Sequence, residues 1–303
     1  MKILTIQEAY KRKFKRQEAI KELEYHASGH CVHIGKLSPG CYSCFIPTLF
    51  RFNLLVGSKC NLNCSYCVDK LQKEPGKKYR IKNIAAILDN SRLPNYAPTA
   101  ISFSGGGEPL LYLDVISEYM KSFRKIEKDT KKRPWYYLYT NGVLANSHML
   151  LRLKDLGFDE IRFHLGASNF SKNVYRNLKK AARHFKTVTV ETPSWRTHRK
   201  KLFEMLPIIE DIGIKHLNLG ETEVTKYNYN KIAKIFPDGE IYQCHELHLY
   251  DGGLAYDIIE EVLKKRYSYS VLDCNCFVKN IQRSPAKWVL HQDVTGLCEN
   301  ITG

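Results

Sequence analysis

The sequence predicts an α/β fold built on a parallel β-sheet, and three observations support this prediction. From about residue 50 onward, apolar, β-branched and aromatic runs alternate with amphipathic stretches, as expected for repeated strand–helix units. A chain of 303 residues with 44% hydrophobic residues can bury a substantial core and has the size of one α/β unit with an appendage. The most distinctive motifs follow predicted strands, at the sheet edge where parallel α/β folds bind ligands.

Six strands and five crossover helices are expected in the central part of the chain. The strand candidates are short runs bounded by turn-forming residues, at 50–56, 100–104, 135–140, 160–165, 187–191 and 216–219. The helix candidates between them lie at about 81–90, 113–128, 147–156, 171–184 and 200–212. Each has the length of a crossover between parallel strands. A further, charged helix is expected at residues 7–25.

Composition limits the expected location and partners of the protein. The longest apolar runs are far shorter than the roughly 20 residues that span a bilayer, so no membrane association is expected. The N-terminus lacks an apolar stretch of signal-peptide length, which predicts a cytoplasmic protein. Lys and Arg outnumber Asp and Glu by 47 to 31, a formal net charge of +16. Such a surface attracts acidic partners, RNA among them, but a lysine-rich solvated surface explains the charge equally well.

Cys60, Cys64 and Cys67 form the most specific motif in the sequence, with the spacing C-x3-C-x2-C. In a reducing compartment, such clustering favours metal binding over disulfides. An iron–sulfur cluster normally takes four protein thiolates, so three leave one iron free to bind an exogenous molecule. The triad therefore predicts a [4Fe-4S] cluster with an open coordination position.

Two further motifs follow the second and third predicted strands. They are the Gly-Gly-Gly-Glu-Pro run at residues 105–109 and the Thr-Asn-Gly run at 140–142. The glycines allow a tight turn and a close approach of the backbone to a ligand, and Glu108 offers a carboxylate to an ammonium group. A tight loop needs no ligand, so the position at the end of a strand is what favours a binding role.

With the cysteine triad, Tyr66 before its third cysteine and the glycine run, the sequence resembles the radical S-adenosylmethionine (radical SAM) enzymes. The resemblance covers roughly residues 50–221 and implies a partial (β/α)6 TIM-like barrel, an open relative of the eight-unit barrel. It implies that S-adenosylmethionine chelates the open iron. One electron from a reductant such as flavodoxin or ferredoxin then cleaves it to methionine and a 5′-deoxyadenosyl radical, which takes a hydrogen atom from the substrate.

The same resemblance implies a set of cofactor-binding residues. The glycine run would contact the methionine moiety, with Glu108 near its amino group, and residues after later strands would contact the rest of the cofactor. Glu221, after the last predicted strand, faces either the substrate or solvent. The cofactor-binding residues implied are Tyr66, Gly105, Gly106, Gly107, Glu108, Asn141, Ser168, Arg196 and Asn218.

The flanking segments, residues 1–49 and 222–303, carry the other cysteines, including close pairs of the kind that chelate a metal. We expect an auxiliary iron–sulfur site there; a structural zinc site and inert buried thiols are the alternatives. Peptide-modifying radical SAM enzymes often carry an auxiliary-cluster domain after the barrel, although the cysteines here are sparser than in the usual arrangement. The candidate ligands are Cys41, Cys44, Cys244, Cys274 and Cys276.

The leading functional hypothesis is radical SAM modification of a peptide or protein side chain, because peptide-modifying relatives share a cysteine-bearing C-terminal extension. Modification of a tRNA base or a nucleotide is the alternative that the positive charge favours. A non-catalytic iron–sulfur sensor or scaffold is a third alternative, which the glycine run disfavours. If the product is an epimer, a cysteine must return a hydrogen atom to the substrate, and Cys298 and Cys276 are the candidates.

Overall fold

The computed structural model describes residues 1–26, 31–46, 49, 51–68, 99–104, 106–131, 133–244 and 246–278. The predicted helix at about 81–90 and the candidate residues Gly105 and Cys298 lie outside these ranges.

The strands, in chain order, are β1 (Lys2–Leu4), β2 (Glu24–His26), β3 (Cys31–Ile34), β4 (Arg51–Leu55), β5 (Ala100–Ser104), β6 (Trp135–Thr140), β7 (Glu160–Phe163), β8 (Thr187–Pro193), β9 (His216–Gly220), β10 (Thr222–Val224), β11 (Glu240–Gln243), β12 (Leu247–Leu249) and β13 (Ser270–Cys274). The helices are α1 (Ile6–Glu18), α2 (Pro39–Phe45), α3 (Leu113–Thr130), α4 (Ser147–Leu156), α5 (Lys172–His184), α6 (Arg199–Ile212), α7 (Tyr229–Ile235) and α8 (Leu254–Lys265).

A nine-stranded sheet forms the centre of the fold, in the order β2-β3-β13-β9-β8-β7-β6-β5-β4. The six predicted strands, β4 to β9, pair in sequence order and all in parallel. Among the described residues, no pairing joins the two terminal strands of this order, β2 and β4. The predicted α/β fold with a partial, TIM-like parallel barrel is therefore confirmed.

The crossover helices α3 to α6 begin and end within two residues of their predicted positions because their terminal residues satisfy the helix ends. In α4, the Asn146 side chain accepts a hydrogen bond from Met149 N–H at 3.0 Å. The same helix ends at Gly157, which adopts the left-handed conformation with φ +89°. Side chains of these helices and of the sheet form the main core, which includes Phe103, Leu138, Ile161, Leu217, Leu150, Leu178 and Leu206.

The sheet extends beyond the six predicted strands through residues of both flanking segments. Strand β13 adds in parallel to β9, and β3 pairs with β13 in the antiparallel sense. The predicted boundary between residues 221 and 222 thus falls between β9 and β10, and the chain later returns to the same sheet. A five-residue strand with few apolar residues gives little sequence signal, because its identity depends on its neighbours.

Four short strands form a second sheet, in the order β1-β11-β12-β10. Three of them come from the chain between β9 and β13, and β1 comes from the N-terminal segment. Helix α1 starts at a capping box formed by Thr5 and Glu8. It ends at Glu18 rather than near the predicted residue 25, because residues 24–26 pair with β3 as strand β2. Within the described ranges, no helix has both the length and the apolarity needed to cross a membrane.

Candidate active site

A cavity of about 470 Å³ lies at the carboxyl ends of the parallel strands. Its walls come from the loops that follow β4 to β9, where parallel α/β folds collect ligand-binding groups. The lining side chains include all three cysteines of the triad together with Tyr66, Glu108, Asn141, His164, Glu191, Glu221 and Glu223. Residues far apart in sequence thus meet at one chamber, which we call the strand-end chamber.

Cys60, Cys64 and Cys67 lie on the loop after β4, and none of them is in a disulfide. Lys59 N–H donates to the Tyr112 hydroxyl at 2.6 Å, which anchors the start of this loop. Burial, followed by the neighbouring Cys67 and Cys60, raises the pKa of Cys64 to about 11. Three thiols gathered in this way resist ionisation together, so a bound cation is the partner that would stabilise their thiolates.

Gly107 and Glu108 join the glycine run to the cysteine loop. Glu108 N–H donates to the Lys59 carbonyl at 2.9 Å, and a Cβ atom at residue 107 would overlap that same carbonyl. Only glycine permits this approach of two backbones. Gly107 therefore seats the loop that carries the triad, a contact that sequence reasoning did not foresee. Gly106, with φ +71°, lines the chamber beside it.

The carboxylate of Glu108 is buried and binds groups of the protein itself. It accepts hydrogen bonds from Leu110 N–H at 3.1 Å, the Thr140 hydroxyl at 2.7 Å and Asn141 N–H at 2.8 Å. Burial raises the pKa of Glu108. Because a carboxylate has about four acceptor sites, these three bonds leave one for a donor in the chamber that Glu108 lines.

We expect Gly107→Ala to lower activity by roughly a hundredfold, because displacement of a catalytic loop by about 1 Å has an effect of this size. The added methyl group cannot fit unless the Lys59 backbone moves. Iron content and cleavage of S-adenosylmethionine, measured on the same preparation, test this prediction. Gly213→Ala is the control, because its methyl group would meet no atom within 4 Å and Gly213 does not line the chamber; its φ of +83° should reduce stability but not iron content or activity. Normal iron content and activity in Gly107→Ala would contradict the proposed seating of the loop.

Tyr66 forms an aromatic wall beside the triad. Its ring stacks on His164 with centroids 5.7 Å apart, and it meets the Trp195 ring edge-on at 5.1 Å. Burial, followed by the nearby Cys64, raises the pKa of Tyr66. The Tyr66 side chain therefore stays neutral and packs the cysteine loop against the segments that follow β7 and β8.

Asn141 and Ser168 differ in where the structure places them. Asn141 lines the strand-end chamber, and its side-chain N–H donates to Asn61 Oδ1 at 2.7 Å within the cysteine loop. Ser168 does not line the chamber, because its hydroxyl donates to the Leu165 carbonyl at 3.1 Å within its own turn. Ala167 and His164 line the chamber from this turn instead.

Arg196 and Asn218 also lie away from the strand-end chamber. Arg196 is exposed, and its guanidinium lies over the Phe236 ring at 5.1 Å. Asn218 is buried on the interior face of β9, where its side chain contacts Cys41 and Glu191. The expectation that side chains at strand ends line the chamber does not hold for these two residues. Side chains alternate between the two faces of a strand, and the turn after a strand can direct a side chain away from the chamber.

A second cavity of about 190 Å³, which we call the inner cavity, shares part of its wall with the strand-end chamber. The shared residues are Arg51, Tyr139, Glu191, Glu223 and Cys274. Sequence reasoning did not identify Arg51, Tyr139 or the neighbouring Arg162. The sequence does mark these residues, because charged or polar side chains at alternate positions of a strand lie on the same face of the sheet.

Arg162 is the largest fully buried side chain in the inner cavity wall. Its Nε donates to Glu160 Oε1 at 2.8 Å, and its Nη2 donates to the Cys41 sulfur at 3.4 Å. Burial alone would raise the pKa of Glu160, but Arg162 and hydrogen bonds from Ser38 and other side chains lower it. The cavity therefore presents fixed charges rather than an apolar wall.

The predicted auxiliary set is divided between two places. Cys41, Cys44 and Cys274 line the inner cavity, whereas Cys244 and Cys276 form a disulfide with each other and line neither cavity. Cys244 and Cys276 therefore lie apart from the other three candidate ligands of the predicted auxiliary site. Cys244 follows β11 of the small sheet and Cys276 follows β13, and these two segments meet at the two cysteines. Cys276 does not line the chamber either. A cysteine that returns a hydrogen atom to a substrate in the chamber would have to face it.

A buried charged network closes one side of the chamber. Lys13 of α1 lies 2.8 Å from Glu221 Oε1 and 3.7 Å from Asp273 Oδ2. The Tyr242 hydroxyl donates to Glu221, and the Tyr256 hydroxyl donates to Asp273. Glu221 thus reaches the chamber wall as part of an ion pair with the N-terminal helix, which answers the question its sequence position left open.

The sequence matches a family model described as the radical SAM superfamily over residues 54–185. It is 31% identical over 118 residues to the 7-carboxy-7-deazaguanine synthase of Methanothermobacter thermautotrophicus, covering 38% of this chain and 42% of the relative. It is 25% identical over 185 residues to the tungsten-containing aldehyde ferredoxin oxidoreductase cofactor-modifying protein of Pyrococcus furiosus, covering 60% and 46%. The chain thus spans less than half the length of these curated relatives.

Among solved structures, the fold is similar to Streptococcus suis SuiB bound to precursor peptide SuiA. The TM-score is 0.53 at 11% sequence identity, and the match covers 76% of this chain and 49% of SuiB. At this identity the likeness concerns the fold.

Proposed function

We propose that this protein, whose residues 54–185 match the radical SAM family model, modifies a peptide or protein side chain by radical chemistry. Radical SAM enzymes use a [4Fe-4S] cluster and S-adenosylmethionine. The observation that carries the proposal is the placement of the cysteine triad on the wall of a chamber that also presents several carboxylates.

The residues on the chamber wall fit these cofactors. Cys60, Cys64 and Cys67 would hold the cluster, because all three thiols line the same chamber and none is committed to a disulfide. When bound, the two cofactors supply the one-electron cleavage that forms methionine and the 5′-deoxyadenosyl radical.

The protein holds the chamber in shape around these groups. Gly107 and Glu108 fix the cysteine loop to the loops after β5 and β6 through bonds to Lys59, Thr140 and Asn141. The remaining acceptor site of Glu108 would bind the ammonium group of S-adenosylmethionine. The Tyr66 and His164 rings cover one side of the triad and exclude water from it.

The charge of the chamber wall supports a peptide rather than a nucleotide as the substrate. Among the described lining residues, Glu191, Glu221 and Glu223 carry negative charge and Arg51 carries positive charge. Glu221 is also paired with Lys13, and Glu191 lies 3.4 Å from Arg162. A phosphate group placed against these carboxylates would be repelled, whereas a basic side chain would be attracted and a neutral one would not be repelled. The SuiB structure, which holds a precursor peptide, is consistent with a fold of this kind receiving a peptide.

Modification of a nucleotide is the second candidate, because one relative is a 7-carboxy-7-deazaguanine synthase and the formal net charge is +16. A peptide substrate and an RNA substrate would use different binding surfaces. An RNA substrate would bind through Lys and Arg on the outside of the protein, with an affinity that falls steeply with salt. Both candidates require a reductant such as flavodoxin or ferredoxin, and both fit the reducing cytoplasm.

Incubation of the anaerobically reconstituted, reduced protein with S-adenosylmethionine and candidate peptides tests the proposal. We expect 5′-deoxyadenosine and methionine to form and the mass of a neutral or basic peptide to change. In Glu223→Gln, modification of a basic peptide should fall about tenfold, because one attractive charge at the chamber wall is lost. Cleavage of S-adenosylmethionine without peptide should be unchanged in this variant. Gln243→Ala, at an exposed position of the same small sheet, is the control.

Two other outcomes would replace the proposal. A mass change in RNA or nucleotides but in no peptide would establish the nucleotide candidate. Failure of the reduced, iron-loaded protein to cleave S-adenosylmethionine would favour a sensor or scaffold role.

A further inference from the structure

Four cysteines from both flanking segments meet beside the inner cavity. Strands β3 and β13 pair with Val32 opposite Asp273, so the next position of the same register sets Cys31 opposite Cys274. Directly opposed residues of antiparallel strands have Cα atoms about 4.5–5.5 Å apart. Cys41 and Cys44 are three residues apart on α2 and therefore share one face of that helix. The chain thus brings a cross-strand pair and a helical pair of thiols together.

The four thiols belong to one cluster rather than to two separate pairs. They pack together with Leu37, Phe45, Leu272 and Val278. Cys41, Cys44 and Cys274 line the inner cavity, and Cys31 lies within electrostatic reach of all three. None of the four is in a disulfide. Cys31 went unassigned in the sequence because it has no close cysteine neighbour there.

Charged and hydrogen-bonding side chains surround these thiols, whereas inert cysteines of a core need no such neighbours. The Cys41 sulfur accepts hydrogen bonds from Arg162 Nη2 and from Asn218 Nδ2, each at 3.4 Å. Arg51 lines the same cavity and lies near Cys44. Glu160 holds Arg162 from the opposite side, so the guanidinium cannot turn away from the sulfur. Donors aimed at a sulfur atom are characteristic of thiolates that ligate iron–sulfur clusters.

We propose that Cys31, Cys41, Cys44 and Cys274 ligate an iron–sulfur cluster, separate from the one at the triad. Four thiolates match the usual ligand number of a four-iron cluster. Cys41, Cys44 and Cys274 line a cavity of about 190 Å³, and Cys31 packs in the same group of side chains. A zinc ion would need the sulfurs to collapse onto one point, whereas a cluster occupies the space between them.

This second cluster would border the chamber in which the substrate is proposed to react, because Cys274 lines both cavities. Its ligands come from β3, α2 and β13, so it would also fasten the N-terminal segment to the last strand of the sheet. The proposal does not depend on S-adenosylmethionine cleavage, since its ligands are distinct from the triad.

Metal analysis of a triad-null protein, with Cys60→Ala, Cys64→Ala and Cys67→Ala combined, tests this proposal independently of activity. After anaerobic reconstitution, the wild type should hold about eight iron atoms and the triad-null protein about four, with equal sulfide. Adding Cys41→Ala and Cys44→Ala should remove the remaining iron. Adding Cys244→Ala and Cys276→Ala instead is the matched control, because these cysteines line neither cavity, and the iron should stay at about four.

Cys274→Ser in the triad-null background covers the case in which the larger change prevents folding. A serine ligand should keep the cluster but alter the electron paramagnetic resonance spectrum of its reduced form. The proposal is overturned if the folded triad-null protein, checked by circular dichroism, binds no iron. It is also overturned if that protein holds about one zinc per chain instead, or if the spectrum is unchanged by Cys274→Ser.

Discussion

Cys64→Ala is expected to abolish cleavage of S-adenosylmethionine, with a loss of at least about a thousandfold, while the protein remains folded. Two thiolates cannot hold the proposed cluster in place of three. The fold should survive because the Cys64 side chain is only half-buried and makes a weak contact with the Ala167 carbonyl at 3.8 Å. The formation of 5′-deoxyadenosine by the reduced protein, together with its iron content and melting temperature, provides the measurement.

Ser65→Ala is the matched control for Cys64→Ala, because it alters the adjacent residue of the same loop without removing a thiol. It should retain iron and activity. Substantial cleavage by Cys64→Ala with full iron content would mean that the triad does not ligate the cluster. Loss of the fold in Cys64→Ala would instead show that the loop is needed for stability, a role that its partial exposure does not suggest.

Lys13→Met is expected to lower the free energy of unfolding by about 3–5 kcal/mol, because it leaves buried carboxylates without their cation. Lys13, Glu221 and Asp273 have side chains no more than 1% exposed. Glu221 also lines the strand-end chamber, so the change should reduce activity as well as stability. Urea unfolding of Lys13→Met and of Lys15→Met, an exposed position on the same helix, gives the comparison. Equal stability of the two variants would contradict this prediction.

The effect of Lys13→Met should depend on pH in a defined direction. Burial raises the pKa of Asp273, and Lys13 opposes that rise, so removal of Lys13 raises the pKa further. A carboxyl group with a raised pKa in the folded state favours folding at low pH and loses that contribution as pH rises through its folded-state pKa. The destabilisation should therefore be small in acid and grow toward neutral pH.

The sequence predicted the central strands well because each is a short apolar run bounded by turns. Five of the six, β5 to β9, begin at the predicted residue. The contributions of the flanking segments were missed because pairing between distant strands leaves no local pattern. Cys31 shows this best, since its partner Cys274 is opposite it only through the register of β3 and β13.

The site was predictable where chemistry is concentrated in one loop and less so where it depends on orientation. The triad and the glycine run are contiguous, and both lie on the chamber wall. Asn218 and Ser168 also follow or end parallel strands, yet their side chains bind inner or local partners. Arg51 and Arg162 carry a usable signal, since a charged residue inside an otherwise apolar strand is unusual unless its face of the sheet is polar.

Pairing of β3 with β13 joins residues about 240 positions apart, and it has a consequence for the order of folding. The loop closure needed for this contact has a larger entropic cost than the crossovers between β5 and β9, which span roughly 20–30 residues. The central strands should therefore assemble early, with the edge formed by β3 and β13 docking late. During that interval the inner cavity would lie open at the unfinished edge of the sheet, and iron and sulfide for the proposed second cluster could enter there before β3 and β13 pair.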